Sequence, residues 1–160
     1  MKPEILMTVE SNSGEELGKM KIELYKDIAP NHVERILTLS EQGFYNGLTF
    51  HRVIENFMVQ AGCPLGNGTG GSELPNLVAE FNEMKHTRGV LSMARAMDPN
   101  SANSQFFIML DDAPHLDGEY TAFGKVIEGE ETLDKIMRGN PYDNGMVTEP
   151  SKIKSIEIVK

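Results

Sequence analysis

Cysteine, surplus basic charge and long apolar runs are what this 160-residue chain has least of. Its single cysteine, Cys63, cannot close an intrachain disulfide, which excludes the framework of a small disulfide-stapled secreted domain. Beside Pro64, and with no basic partner in view to lower its pKa, it reads as a small space-filler. Lys and Arg number 15 against 24 Asp and Glu, a net charge of −9. Phosphate contact needs clustered cations, and none is visible, so nucleic acid is excluded as a partner. The acidity serves solubility instead. No stretch is apolar for long enough to span a bilayer or to form a signal-peptide core, so the expected location is cytoplasmic, with no membrane partner.

Common catalytic signatures are missing too. The histidines His32, His51, His86 and His115 show no paired ligand spacing, which argues against a metal site. Neither Ser92 nor Ser104 lies in a G-x-S-x-G context, so a hydrolase triad lacks support. The glycine-rich stretch 66–71 has no Lys-Ser/Thr pair behind it to cradle a phosphate. Close backbone approach to a ligand or a neighbouring strand better explains so many glycines.

What is present is a pattern. The length suits one domain, 1–160, able to bury roughly two-thirds of its unfolded surface. Ile5, Met7 and Val9, then Met20, Ile22 and Leu24, recur with a period of two about a polar turn at 11–14, predicting an antiparallel hairpin. After Pro30, the spacing of Val33, Ile36, Leu37 and Ser40 predicts a helix, with Asn31 as its cap, Glu34 completing a capping box and Gly43 closing its end. Strands are expected over 49–54, 57–62, 89–93, 105–110, 120–127 and 153–159. A second helix is expected over 129–138, with Leu133, Ile136 and Met137 inward. About eight strands and two helices suggest a mainly β fold, a closed antiparallel barrel capped by the helices.

The stretch FHRVIENFMVQAG at 50–62 organises the rest. Arg52 stands among apolar neighbours, and a guanidinium carries five donors and stays charged, so it is expected to face outward on a shelf with Phe57, Met58 and Gln60. In the strand at 105–110, alternation sets Phe106, Ile108 and Leu110 on one face and Gln105 with Phe107 on the other. His51 is expected on the opposite face from Arg52, as a hydrogen-bonded core histidine. The result is a groove with one fixed cation, two amides and apolar walls, and no evident nucleophile or general base. That inventory fits a reaction that permanently transfers no group, or plain peptide binding.

Three blocks carry a resemblance to a known family: FHRVIENFMVQAG with NGTGG at 67–71, RGVLSMARA through SQFFI at 88–108, and HLDGEYTAFGKVIEG at 115–129. Together with the APNHVERILTLS helix they cover essentially the whole chain, which resembles a bacterial-type cyclophilin peptidyl-prolyl cis-trans isomerase. The resemblance implies an eight-stranded antiparallel barrel with two capping helices. It also implies an isomerase of X-Pro bonds in unfolded or flexible segments that assists folding; the alternative is a noncatalytic proline-peptide module or chaperone on the same fold. By motif position, Arg52 matches the catalytic arginine and Gln60 its supporting glutamine, and Phe57, Met58, Phe107 and Leu116 match the proline-pocket walls. Gln105 matches a further groove residue, Ala94, Arg95 and Ala96 match the edge along which peptide lies, and His115 and Tyr120 stand at the pocket rim. His115 replaces a tryptophan, Tyr120 an often-found histidine, and Arg95 a common asparagine. The implied partners are proline-containing peptides and unfolded clients, with cyclosporin bound at reduced affinity because the indole is one of its main contacts. A monomer without cofactor is implied.

Overall fold

The structure is a computed structural model and describes residues 2–159. Its first hairpin follows from alternation alone. Strands β1 (Glu4–Glu10) and β2 (Glu16–Leu24) pair antiparallel with Ile5 opposite Ile22 and Met7 opposite Met20. Ile5, Met7, Val9, Met20, Ile22 and Leu24 are all fully buried. A one-residue slip would expose all of them, which pins the register.

Six more strands follow: β3 (Arg52–Ile54), β4 (Met58–Ala61), β5 (Val90–Met93), β6 (Phe106–Met109), β7 (Ala122–Glu128) and β8 (Lys152–Val159). All eight join one antiparallel sheet in the order β3-β4-β6-β5-β7-β2-β1-β8. The sheet curls until its two end strands approach. β3 and β8 form no ladder with each other; the segment just before β3 meets β8 through an isolated bridge between Thr49 and Lys152. Backbone bonds from Gly47 to Ile153, Ile153 to Leu48 and Phe50 to Ser151 flank it.

Two helix expectations need correction. Helix α1 (Pro30–Glu41) begins two residues earlier than the capping box required, because Pro30 sits in its first turn and makes Ala29 the N-cap. Asn31 therefore lies inside the helix, and no local side chain caps it. The Asn31 and His32 N–H groups instead donate to the two carboxylate oxygens of Glu80, at 3.2 and 2.9 Å. At the other end Gly43, with φ of 73°, donates to Ser40 while Phe44 donates to Leu39, a Schellman closure as expected. The second segment is no α-helix: Glu130–Lys135 is a 3-10 helix whose follower Ile136 bonds back to Leu133. A three-residue repeat puts Leu133 and Ile136 over one another, both buried, and turns Met137 outward.

The pleat divides the sheet's side chains between two apolar clusters. Val59, Ala61, Leu91, Met93, Phe106 and Ile108 point into the main core, along with the β1–β2 residues and Val33, Ile36 and Leu39 of α1. Their neighbours Met58, Val90, Phe107 and Met109 point the other way, into a smaller cluster with Ala113, Leu116 and Ala122. Tyr45 and Phe106 meet edge to face at 5.4 Å in the main core, and the Tyr45 hydroxyl donates to the Ser104 carbonyl. The second cluster lies under the groove.

Candidate active site

Directly paired residues of antiparallel strands point to the same face of a sheet. The register sets Arg52 opposite Gln60, Gln60 opposite Phe107, and Phe107 opposite Ser92. Four side chains from β3, β4, β6 and β5 thus form one row across the outer face. Arg52 and Gln60 are half-buried, Phe107 is nearly covered, and Ser92 is sealed beneath.

Over this row opens a cavity of about 190 Å³ lined by Arg52, Phe57, Met58, Gln60, Ala94, Arg95, Phe107, Leu116 and Tyr120. A larger polar cavity of about 490 Å³ adjoins it and shares Gln60, Ala94 and Arg95. Ala96 and Gln105 line that one, with the 68–71 loop, Ser72, Asn76, Ser101, Asn103 and Ser104. Of the residues singled out from sequence, His115 alone lines neither cavity; it is exposed and packs against Phe57 at 5.8 Å between ring centres.

The guanidinium of Arg52 is tethered on two sides. Its Nη1 donates to Gln60 Oε1 at 3.1 Å. Nε donates to the Asn144 carbonyl at 2.9 Å and Nη2 to Asn144 Oδ1 at 3.1 Å. Gln60 Nε2 in turn donates to Gln105 Oε1, and Gln105 Nε2 donates to the carbonyls of Gly68 and Gly70, each at 2.9 Å. A relay of amides therefore runs from the cation to the glycine loop. Burial lowers the Arg52 pKa, with the nearby Tyr120 opposing the shift; a guanidinium still keeps its charge at neutral pH. Asn144 presents both acceptors because it adopts a left-handed conformation, φ 54°. Gly145 follows at φ 80°, where a side chain would run into Ile54 and the Arg52 stem.

Arg95 is pinned differently. Nη1 donates to the Ala96 and Met97 carbonyls, Nη2 donates to the Glu119 carbonyl, and the guanidinium lies 4.5 Å above the Tyr120 ring. Tyr120 meets Phe107 edge-on at 5.7 Å.

Beneath Phe107 lies buried His86, stacked on its ring at 6.2 Å. Its Nδ1 contacts Asp117 Oδ1 at 3.0 Å and its Nε2 contacts Ser92 Oγ at 2.9 Å. Burial lowers the His86 pKa, outweighing the Asp117 carboxylate that would raise it. The neutral ring therefore donates from Nδ1 to Asp117 and accepts the Ser92 proton at Nε2. The connectivity is that of a serine-hydrolase triad, but Ser92 is 0% exposed and His86 1%. No substrate carbonyl reaches that oxygen, so the arrangement is a scaffold that fixes Phe107 and the turn carrying Leu116.

His51 does turn inward, opposite Arg52, and is 2% exposed. Neither ring nitrogen has a partner at good hydrogen-bond geometry, and the nearest approach to the expected bond is to the Thr49 backbone. Burial lowers its pKa, outweighing the Thr49 backbone that would raise it, and the loop passes over it at Gly68, whose φ of 89° favours glycine. Among the described residues no three His, Cys, Asp or Glu side chains converge as metal ligands. Sequence reasoning missed Asn144, His86 and Asp117. The stretch 140–150 is rich in turn formers, which placed Asn144 in a loop but gave it no role; nothing local marked the other two.

Residues 6–158 match the family described as cyclophilin type peptidyl-prolyl cis-trans isomerase/CLD. A probable peptidyl-prolyl cis-trans isomerase of Brucella suis is 49% identical over 147 residues, covering 85% of this chain and 75% of that protein. A peptidyl-prolyl cis-trans isomerase of Synechococcus elongatus is 47% identical over 144 residues, covering 90% and 92%. Among solved structures, a Cryptosporidium parvum cyclophilin type peptidyl-prolyl cis-trans isomerase superposes with a TM-score of 0.86 at 33% identity, over 100% of this chain and 99% of that one. The same protein crystallised in the presence of the dipeptide Ala-Pro gives 0.84 at 34% identity, over 97% and 99%.

Proposed function

The chain belongs to the cyclophilin-type peptidyl-prolyl cis-trans isomerases, and from that premise we propose that Arg52 is the cation by which it accelerates rotation about X-Pro bonds. Such rotation faces a barrier of ~18–20 kcal/mol, because the nitrogen lone pair is delocalised into the carbonyl. A catalyst of this step needs no nucleophile; it must bind the twisted amide better than either planar isomer.

As the bond twists, the lone pair localises on the proline nitrogen and becomes an acceptor. Three of the five Arg52 N–H groups are committed to Gln60 and Asn144, which leaves two for that acceptor. They form a bond largely unavailable in the planar amide, so the gain falls on the transition state. Met58, Phe57, Phe107 and Leu116 hold the ring while the preceding carbonyl swings, and Gln60 keeps the guanidinium aimed. Ala94 to Ala96 and Gln105 align the flanking peptide. The observation that carries the reading is the shared cavity: a tethered guanidinium with uncommitted donors and an apolar ring-sized wall face one another across 190 Å³.

Clients on this reading are proline-bearing segments of unfolded or flexible proteins, met in the cytoplasm by a monomer of one domain whose sheet closes as a barrel through the Thr49–Lys152 seam. His115 offers no indole, so cyclosporin binds at reduced affinity. The test is a protease-free assay of cis-to-trans exchange. Arg52→Ala is expected to lower turnover by ~10²-fold, as for loss of a transition-state donor, while peptide still binds. Wild-type turnover in that variant removes Arg52 from the mechanism, and a wild-type protein that binds peptide without exchange would be the noncatalytic module instead.

A further inference from the structure

The chain carries 24 acidic residues and a net charge of −9, yet neither cavity of the groove is lined by a single Asp or Glu. Both are lined by arginine: Arg52 in the smaller one, Arg95 in both. Among the described residues Arg88 and Arg138 form ion pairs with Glu55, Glu130 or Asp134, whereas no carboxylate lies within pairing distance of Arg52 or Arg95. Every tether these two make is to a carbonyl or amide oxygen, or to the Tyr120 ring. Such tethers fix position without cancelling charge. The groove is therefore a cationic strip on an acidic body.

We propose that the groove prefers peptides with a carboxylate within about three residues of the proline, and that Arg95 sets this preference. The inference rests on the isomerase reading of the same groove. With the proline ring in the smaller cavity, its chain neighbours pass Ala94 and Arg95 to reach the polar cavity, so the Arg95 charge stands at the crossing. A nearby Glu or Asp meets a guanidinium already held by three carbonyls, and binding freezes little further side-chain freedom. A Lys at the same place meets like charge. The whole-chain charge of −9 acts differently, repelling acidic peptides wherever their carboxylate lies. Two peptides of identical composition, one with Glu beside the proline and one with Glu six residues away, feel that repulsion alike and differ only in what the groove supplies.

The experiment measures kcat/KM by protease-free exchange for a panel with Glu or Lys one, two or three residues to either side of the proline, against the distal-Glu control. The wild-type protein is expected to favour the best near-Glu peptide over the control by about threefold to tenfold, the span of a partly exposed to a charge-assisted contact, and to disfavour near-Lys. Arg95→Gln should bring the near-to-distal ratio within about twofold of one, whatever its absolute rate. Arg95→Lys keeps the charge and should keep the preference. Equal rates for near and distal Glu in the wild-type protein overturn the inference, as does a ratio unchanged in Arg95→Gln or lost equally in Arg95→Lys. If the wild-type protein exchanges none of the peptides, the isomerase reading itself falls.

Discussion

Asn144 grips Arg52 with both of its oxygens, the main-chain carbonyl on Nε at 2.9 Å and Oδ1 on Nη2 at 3.1 Å, across 92 positions of sequence. Two acceptors on two nitrogens fix the plane of the guanidinium, which a single bond leaves free to rotate. With Gln60 on the third nitrogen, the cation is held before substrate arrives.

Asn144→Gly keeps the left-handed backbone and the carbonyl on Nε, but deletes Oδ1. Small misplacement of a catalytic group costs up to ~10²-fold, and with one tether of three removed we expect kcat to fall by about tenfold with peptide affinity within about twofold. In an Arg52→Ala background the same change should have no further effect, since both act through one side chain. Additive losses in that double mutant would show that Asn144 works by another route.

Phe107 closes the floor of the smaller cavity, 5% exposed and wedged between His86 and Tyr120. Phe107→Ala removes ring contacts that both planar isomers and the twisted amide use. Peptide affinity should therefore weaken along with turnover, unlike the Arg52 variant; unchanged affinity in an NMR titration would contradict the proline-pocket assignment. The folded state should also lose ~3 kcal/mol or more, since truncating a buried aromatic leaves a cavity.

Three histidines, His32, His51 and His86, are at most 2% exposed, and burial lowers the pKa of each. Glu80 and Arg35 face His32, Arg52 lies beside His51, and Asp117 with His115 lies beside His86; in each case desolvation outweighs these neighbours. Their folded pKa values lie below the unfolded ~6.5, so their contribution to stability is present above pH 6.5. It is lost as pH falls through that value, because the unfolded chain then takes up protons that the folded one refuses. All three act in the same direction, so the fold is expected to be less stable at about pH 5.5 than at about pH 7. Urea unfolding at the two pH values checks this; equal stability would mean the histidines protonate in place.

Glu80 serves as the cap that α1 lacks locally, accepting from the Asn31 and His32 N–H groups and contacting His32 Nδ1. Glu80→Ala should destabilise the protein by ~2–3 kcal/mol, combining a lost cap with a buried imidazole left without that partner. Asn31→Ala, which touches no cap, should cost little by comparison. The reverse ranking in equilibrium unfolding would restore the local capping box.

The sequence was most legible where the signal repeats along one strand. Alternation in 5–9, 20–24 and 105–110 depends on successive Cβ atoms leaving a strand on opposite sides, a property of the backbone alone. It separated Phe106, Ile108 and Leu110 from Gln105 and Phe107 before any partner strand was known, and those sets occupy the main core and the groove side. It also faced Arg52 away from His51. The helix ends were less legible: Pro30 shifted the start of α1 by two residues and passed its cap to a carboxylate 49 positions away. Likewise the 129–138 apolar spacing fitted α and 3-10 geometry alike until packing chose the tighter turn.

By itself the sequence determined which side of each strand is greasy and that one arginine among apolar neighbours must face a groove, because both follow from short-range geometry and from the cost of burying an unpaired charge. Tertiary structure alone decided which oxygens hold that arginine, which histidine supports the phenylalanine behind it, and that two cationic side chains meet there with no acid between them. Hydrogen bonds and unpaired charges are settled over about 3 Å in space, and the segments that meet at this groove stand as many as 92 residues apart along the chain.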